Sequence, residues 1–256
     1  MRKKITAVVL AAVMIIAVVP VLAFGASSGT CGKNLTWTLD DAGTLTISGT
    51  GDMEDYYSSM PPWDMGSIKT VVIKNGVTSI GAAAFWGAVN MTSIEIPDSV
   101  TSLGDIAFKT CFGLTSVTIP KSVTSIEHSF YYCMGLTEVN VDPENPVYSS
   151  IDGVLINKNK AELMYYPEGR TDKSYKVPDS VTSIGDSAFF RSLVTTVEIS
   201  EGVTSIGKSA FYLSEKLTSV KIPASMTSIG EGAFDVCNSL QDIYYDGMRD
   251  FFQASK

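Results

Sequence analysis

The chain has 256 residues, 19 basic and 27 acidic side chains, one histidine and four cysteines, with a formal net charge of −8. That balance argues against nucleic acid and anionic membrane surfaces as partners, since Lys/Arg clusters supply affinity for both. A single histidine, and cysteines without CxxC pairs, do not make a zinc site, and no motif calls for a cofactor.

Residues 1–25 read as an export signal. Arg2, Lys3 and Lys4 open it, Ile5 to Leu22 is almost wholly apolar, and small residues allow cleavage after Ala23 or after Gly25. An uncleaved membrane anchor is the alternative, because the apolar run is nearly long enough to span. Cys31 lacks the preceding aliphatic residue that a lipoprotein site needs. The segment carries three of the 19 basic residues and no acidic ones, so its removal leaves 16 against 27, net −11. No second apolar span follows. The remainder is expected to be exported, at the cell surface or free, without membrane contact after signal cleavage.

Residues 26–66 read as a β-hairpin cap. Leu35, Trp37 and Leu39 alternate with polar residues, Asp41-Ala42-Gly43 turns, and Leu45 and Ile47 alternate again. Trp37 and Trp63 are either sugar-contacting or packed, and aromatics at a cap are more often packed. Gly49-Thr50-Gly51 and Tyr56 to Pro62 look like loop.

From residue 67 to 256 one phrase recurs: L-x-x-V-x-I-P, a turn, V-T-S-I-G, then A-F and a small residue. Phe85, Phe108 and Phe130 are 23 and 22 residues apart, and Val181-Thr182-Ser183-Ile184-Gly185 returns at Val203. A fixed period of this size marks a solenoid, in which each unit has an apolar face that only its neighbours can bury. The expected architecture is mainly β: parallel short strands joined by short helical or 3₁₀ turns. Glycines such as Gly104 and Gly207 would supply a permissive turn backbone, and Pro97, Pro120, Pro178 and Pro223 would end the first strand. The Thr-Ser pairs before Ile80, Leu103 and Ile206 would form polar ladders.

Three residues after each repeat phenylalanine stand Ala88, Cys111, Cys133, Ser192, Ser214 and Cys237. This column asks for small size, and cysteine serves there as a small hydrophobe. Cys111 and Cys133 would sit on adjacent rungs. That spacing permits a bridge, although parallel Cβ vectors oppose it. His128, where the third unit is one residue short, reads as a surface residue, since no nucleophile motif accompanies it.

Residues 142–174 break the period. Asp142-Pro143-Glu144-Asn145-Pro146 stops a strand, and Ile151 to Ile156 and Leu163 to Tyr166 flank the polar turn Asn157 to Lys160, so an inserted hairpin is expected. Strand-equivalent positions Val141 and Val177 are 36 residues apart. Insertions in solenoids map to one face, often the binding face. Residues 246–256, with Phe251 and Phe252, are expected to close the array.

These units, with V-T-S-I-G and A-F-x-x-C, closely resemble the BspA-like subclass of bacterial leucine-rich repeats. The resemblance implies a right-handed solenoid, secreted or displayed on the bacterial surface, that binds host or matrix proteins in adhesion and has no catalytic residues. A structural spacer or carbohydrate-contacting coat component is the alternative, and a two-carboxylate glycosidase a third reading. The outward positions of the first strands, Glu95, Thr118, Asn140, Glu198, Lys221 and Tyr244 beside Val72, are the expected ligand face. They are mostly small or polar, which predicts modest affinity.

Overall fold

The structure, a computed structural model, describes residues 27–245. The export-signal segment and the expected cap at 246–256 lie outside these. Strand β1 (Ser27–Gly32), β2 (Leu35–Leu39) and β3 (Thr44–Gly49) form an antiparallel meander, one strand more than the expected hairpin. β3 then pairs in parallel with Thr70–Ile73, so the meander serves as the template on which the array grows. Gly51–Asp52, whose Gly51 was expected in a loop, pairs in parallel with Val77–Ile80 and starts a second row of strands.

The repeats contribute strands to two parallel rows, the third repeat entering the second row by a single bridge from Ser102 to Ser125. Register in the first row aligns Thr46, Val72 and Glu95, then Thr118 with Asn140, then Lys176, Glu198, Lys221 and Tyr244. In the second row Ser79 pairs with Ser102, and Glu162, Ser183, Ser205 and Ser228 align in turn. The period of about 22 residues therefore advances the chain by one ladder spacing per repeat. The threonines form the expected ladder: Thr101 Oγ1 donates to Thr78 O at 3.1 Å and Thr227 Oγ1 to Thr204 O at 2.8 Å.

Between the rows the repeat phenylalanines stack into a column. Trp63, Phe85, Phe108 and Phe130 have centroids 5.4–5.7 Å apart, and Tyr166, Phe189, Phe211 and Phe234 follow at 4.6–5.1 Å. Trp63 begins the column 22 residues before Phe85. Its indole donates to Ala84 O at 3.1 Å, and Trp37 packs edge-on against it at 5.9 Å. Both tryptophans are buried, so their role is to cap the core and they offer no face to a sugar.

The return from the second strand is a pair of single turns and not a helix. Ala84 N donates to Gly81 O and Trp86 N to Ala83 O, but Ala83 has φ 56°, which stops helical propagation. Ile106, Ser187 and Ser209 repeat that left-handed residue, and a second one follows at Thr110, Tyr132, Arg191, Leu213 and Val236. Gly87 holds the second place in the first repeat. The left-handed region costs a side-chain-bearing residue roughly 1–2 kcal/mol. Val236→Gly, at a partly exposed and strained β-branched position, should therefore leave the thermal midpoint unchanged or raise it, where an ordinary strand valine would lower it.

The repeat glycines do a different job from the one expected. Gly104 and Gly207 do not lie at positive φ. A Cβ on Gly104 would fall 2.7 Å from Ala82 Cα, and one on Gly207 would fall 2.6 Å from Asp186 N and Gly185 C. They are needed because adjacent rungs touch there, backbone against backbone.

The interruption is a rung with two extra strands. Tyr148–Ile151 and Val154–Asn157 form an antiparallel pair, and Val154–Asn157 pairs again with Glu162–Tyr165, which confirms the hairpin around Asn157–Lys160. Glu162–Tyr165 then takes a regular place in the second row. The first row, already interrupted between Ser93–Glu95 and Ser116–Ile119, is split again here. Its strand Glu138–Val141 pairs only with Ser116–Ile119, and its far edge meets the inset turn, where Val139 N donates to Gly153 O at 2.9 Å. The core divides at the same place. Leu155 and Tyr165 pack into the N-terminal half, and Val154, Ile156, Leu163 and Tyr166 into the C-terminal half. Alternation along Val154–Asn157, with a register shift where it pairs with Glu162–Tyr165, lets one hairpin wall off two cores.

Candidate functional site

The inset joins the two halves by side chains that replace a missing backbone. In regular rungs the residue two after the ladder aromatic donates its N–H to a carbonyl of the next rung: Gly87 to Lys109, Thr110 to Tyr131, Arg191 to Tyr212 and Leu213 to Asp235, at 2.9–3.1 Å. Tyr132 has no such carbonyl, and donates instead to Glu168 Oε1 at 2.7 Å. The ladder carbonyl is likewise answered from the small-residue column. Cys111 donates to Phe85 O, Cys133 to Phe108 O, Ser214 to Phe189 O and Cys237 to Phe211 O, at 2.6–3.2 Å. For Phe130 O the donor is the Tyr165 hydroxyl, at 3.3 Å. A third column shows the same substitution. Ser99, Ser122 and Ser225 donate to Val77, Val100 and Val203 carbonyls, and Asn145 Nδ2 does this for Val123 O at 2.9 Å.

Where it holds Cys111, Cys133, Ser214 or Cys237, the small-residue column supplies a donor as well as small size; Ala88 supplies size alone. All four cysteines are free, and burial pushes the Cys111 thiol up to about 12 and Cys133 well above its ordinary range. These thiols stay protonated and hydrogen-bonded, and no Cys111–Cys133 bridge is present.

Glu168 is almost fully buried. Burial pushes its carboxyl up to about 7, against the lowering effects of the Tyr132 N–H and of Arg191. Arg191 Nε lies 3.7 Å from Glu168 Oε2, so the charged neighbour is a cation and not the second carboxylate a glycosidase would need. Among the described residues no three His, Cys, Asp or Glu side chains gather in a metal-ligating group. His128 is exposed, 3.3 Å from Asp105, at the rim of a cleft of about 200 Å³ beside the inset.

The expected ligand face is where the register placed it. Glu95, Thr118, Asn140, Glu198 and Tyr244 are exposed and Lys221 half-buried, 3.8 Å from Glu198. Only Tyr244 is aromatic, and the surface is flat and polar.

A different surface has the composition of an interface. One residue beyond the small column, Val89, Phe112, Met134 and Leu193 are each about 40% exposed. Alongside runs a row of rings that crosses the inset without a gap: half-buried Tyr131 stacks on buried Phe190 at 5.1 Å, and Phe190 on half-buried Tyr212 at 6.1 Å. Lys109 lies 4.9 Å over the ring of the exposed Trp86, and Arg191 lies 5.1 Å over that of Tyr132. Trp, Tyr, Met and Arg are the residues enriched in protein interfaces and their hot spots. Sequence reading of the columns stopped one position short of this stripe, although its four apolar members follow the same period as the core.

Two parallel rows of short strands, one turn per 22–23 residues and an internal aromatic ladder define a solenoid of the leucine-rich repeat class. The chain belongs to the BspA-type leucine-rich repeat family, whose model matches residues 63–171 and 165–252 in six copies. It is similar to the crystal structure of a leucine-rich repeat protein from Eubacterium ventriosum, at 29% identity and a TM-score of 0.59, over 87% of this chain and 73% of that one. The pneumococcal vaccine antigen PcpA shares the fold at 18% identity and a TM-score of 0.54, over 86% of this chain and 81% of that one. Comparison with curated proteins found no match.

Proposed function

We propose that this chain is an exported, non-catalytic repeat protein that binds other proteins, in adhesion to a host or matrix surface, through the return-turn ridge. The observation that carries this reading is the exposed stripe of Trp86, Val89, Phe112, Met134 and Leu193, flanked by stacked Tyr131, Phe190 and Tyr212. Apolar exposure repeated in register along a solenoid supports a contact surface. The strand face, with Tyr244 as its single aromatic, is read as a solvated wall or rim. Export is supported by the basic start and apolar run of residues 1–25. The alternative of a carbohydrate-contacting component loses its two tryptophan candidates to burial.

The test is surface capture. The purified chain, immobilised, is exposed to purified fibronectin, laminin, collagen and fibrinogen, with a glycan array in parallel. Saturable binding to a protein of the panel is the expected result. Retention of glycans alone would replace this reading with the carbohydrate one, and retention of neither would overturn it.

A further inference from the structure

The joint between the two halves contains two buried polar atoms that have no hydrogen-bond partner: Glu168 Oε2 and Arg191 Nε. They face each other at 3.7 Å, just beyond bonding range. Glu168 belongs to the inset rung and Arg191 to the next, so the pair spans the break between Glu138–Val141 and Ser174–Lys176 in the first strand row. Arg191 is otherwise held at the ridge, over the Tyr132 ring and with Nη2 donating to Met134 Sδ at 3.8 Å.

We propose that Glu168 and Arg191 form a proton-operated latch across this joint: with a proton on Glu168 the guanidinium rests on Tyr132 at the ridge, and when the proton leaves, Arg191 is drawn inward onto the carboxylate. The observed separation fits the protonated arrangement. A neutral carboxyl accepts the Tyr132 N–H on Oε1 and carries its proton on Oε2, where two donors, O–H and the Arg191 Nε–H, face each other and do not close. An ionised one leaves a buried charge answered on one side only, which is strongly unfavourable until a second donor arrives. A charge-assisted N–H···O bond closes to about 2.8 Å, so Nε has roughly 1 Å to travel.

The other titratable groups around Glu168 stay neutral across the working range. Tyr131 and Cys133 from the preceding rung and Tyr165 from its own segment all have pKa values raised by burial. Arg191 is the cation, and it comes from the following rung. Titration of Glu168 therefore falls near neutrality, about 7. The latch works whatever the ridge binds, but it changes the ridge, because Arg191 and Tyr132 are part of that surface.

The experiment follows the Glu side-chain carboxyl carbons and the Arg Nε–Hε signals of the whole chain by NMR from pH 5 to 8.5. Glu168 should titrate near 7, and the Arg191 Nε–Hε signal should shift with the same midpoint. In Glu168→Gln the Arg191 signal should stay still. In Arg191→Gln the Glu168 midpoint should move to higher pH, since the lost cation lowers it. A flat Arg191 signal in the native chain, an equal shift in Glu168→Gln, or an unmoved midpoint in Arg191→Gln would each overturn the proposal. If Glu168→Gln fails to fold, the native chain and Arg191→Gln still decide. Stability gives an independent sign. A carboxyl raised from 4.5 to about 7 favours the folded state fully below 4.5, and the advantage is lost as pH rises through 7. Relative to Glu168→Gln, the native unfolding constant should rise on the order of a hundredfold between those limits. Parallel pH profiles would contradict it.

Discussion

Phe189→Ala should destabilise the protein by about 3–5 kcal/mol, the range for truncating a fully buried aromatic. Phe189 has no exposed surface and lies between Tyr166 at 4.9 Å and Phe211 at 4.6 Å, with Tyr175 edge-on at 5.9 Å. Its removal opens a void at the first regular rung after the inset, where the C-terminal half takes its template from Tyr166. Because a solenoid is stabilised by nearest-neighbour interfaces, amide protection should fall first on the C-terminal side. Paired with Phe211→Ala the effects should be less than additive, and paired with Phe108→Ala, in the other core, additive within about 0.5 kcal/mol. Urea titration of the three single and two double variants measures this. A loss below about 1 kcal/mol for Phe189→Ala would mean the stack is incidental.

Gly207→Ala should cost about 3 kcal/mol or more, although it adds one methyl group. That methyl would lie 2.6 Å from Asp186 N and Gly185 C, which are backbone atoms with nowhere to go. Relief requires two rungs to part, breaking the bond from Gly207 N to Ile184 O. Strain of this kind reaches the upper end of overpacking costs. Gly202→Ala is the internal control. Its Cβ would meet Asp179 O and Val181 O at 3.6 Å, an ordinary contact, so it should be neutral or raise stability by about 0.5 kcal/mol. Chemical denaturation of the two variants side by side separates close approach from a general intolerance of the lost glycine.

The array was legible because its physics is periodic. A residue needed every 22 or 23 positions shows up as a column, and the ladder phenylalanines, the prolines and the threonines could be read from spacing alone. The reason for the glycines was misread, since Gly104 and Gly207 answer to the distance between rungs, which a single strand of text does not show. The inset was legible as a break and as a hairpin, but not as a splice. Glu168, Tyr165 and Asn145 each stand in once for an atom that other rungs supply repeatedly, and a single occurrence has no period. The exposed stripe was hidden for the opposite reason. Phe112, Met134 and Leu193 keep the core period while facing water, and apolarity in register reads as burial until the turn geometry is known. The small-residue column was half read: its size was visible, its role as donor to the ladder carbonyl was not.

The most direct measurement is a comparison of two surfaces on one scale. Phe112→Ser, Met134→Ser and Leu193→Ser are combined in one variant, and Thr118→Ala, Asn140→Ala and Glu198→Ala in another. Both are checked for native unfolding and then titrated against the matrix protein that the native chain captures. Loss of about tenfold or more in affinity for the ridge variant, with the strand variant close to native, is the predicted result. The reverse pattern, with affinity lost from the strand face and kept at the ridge, would contradict it.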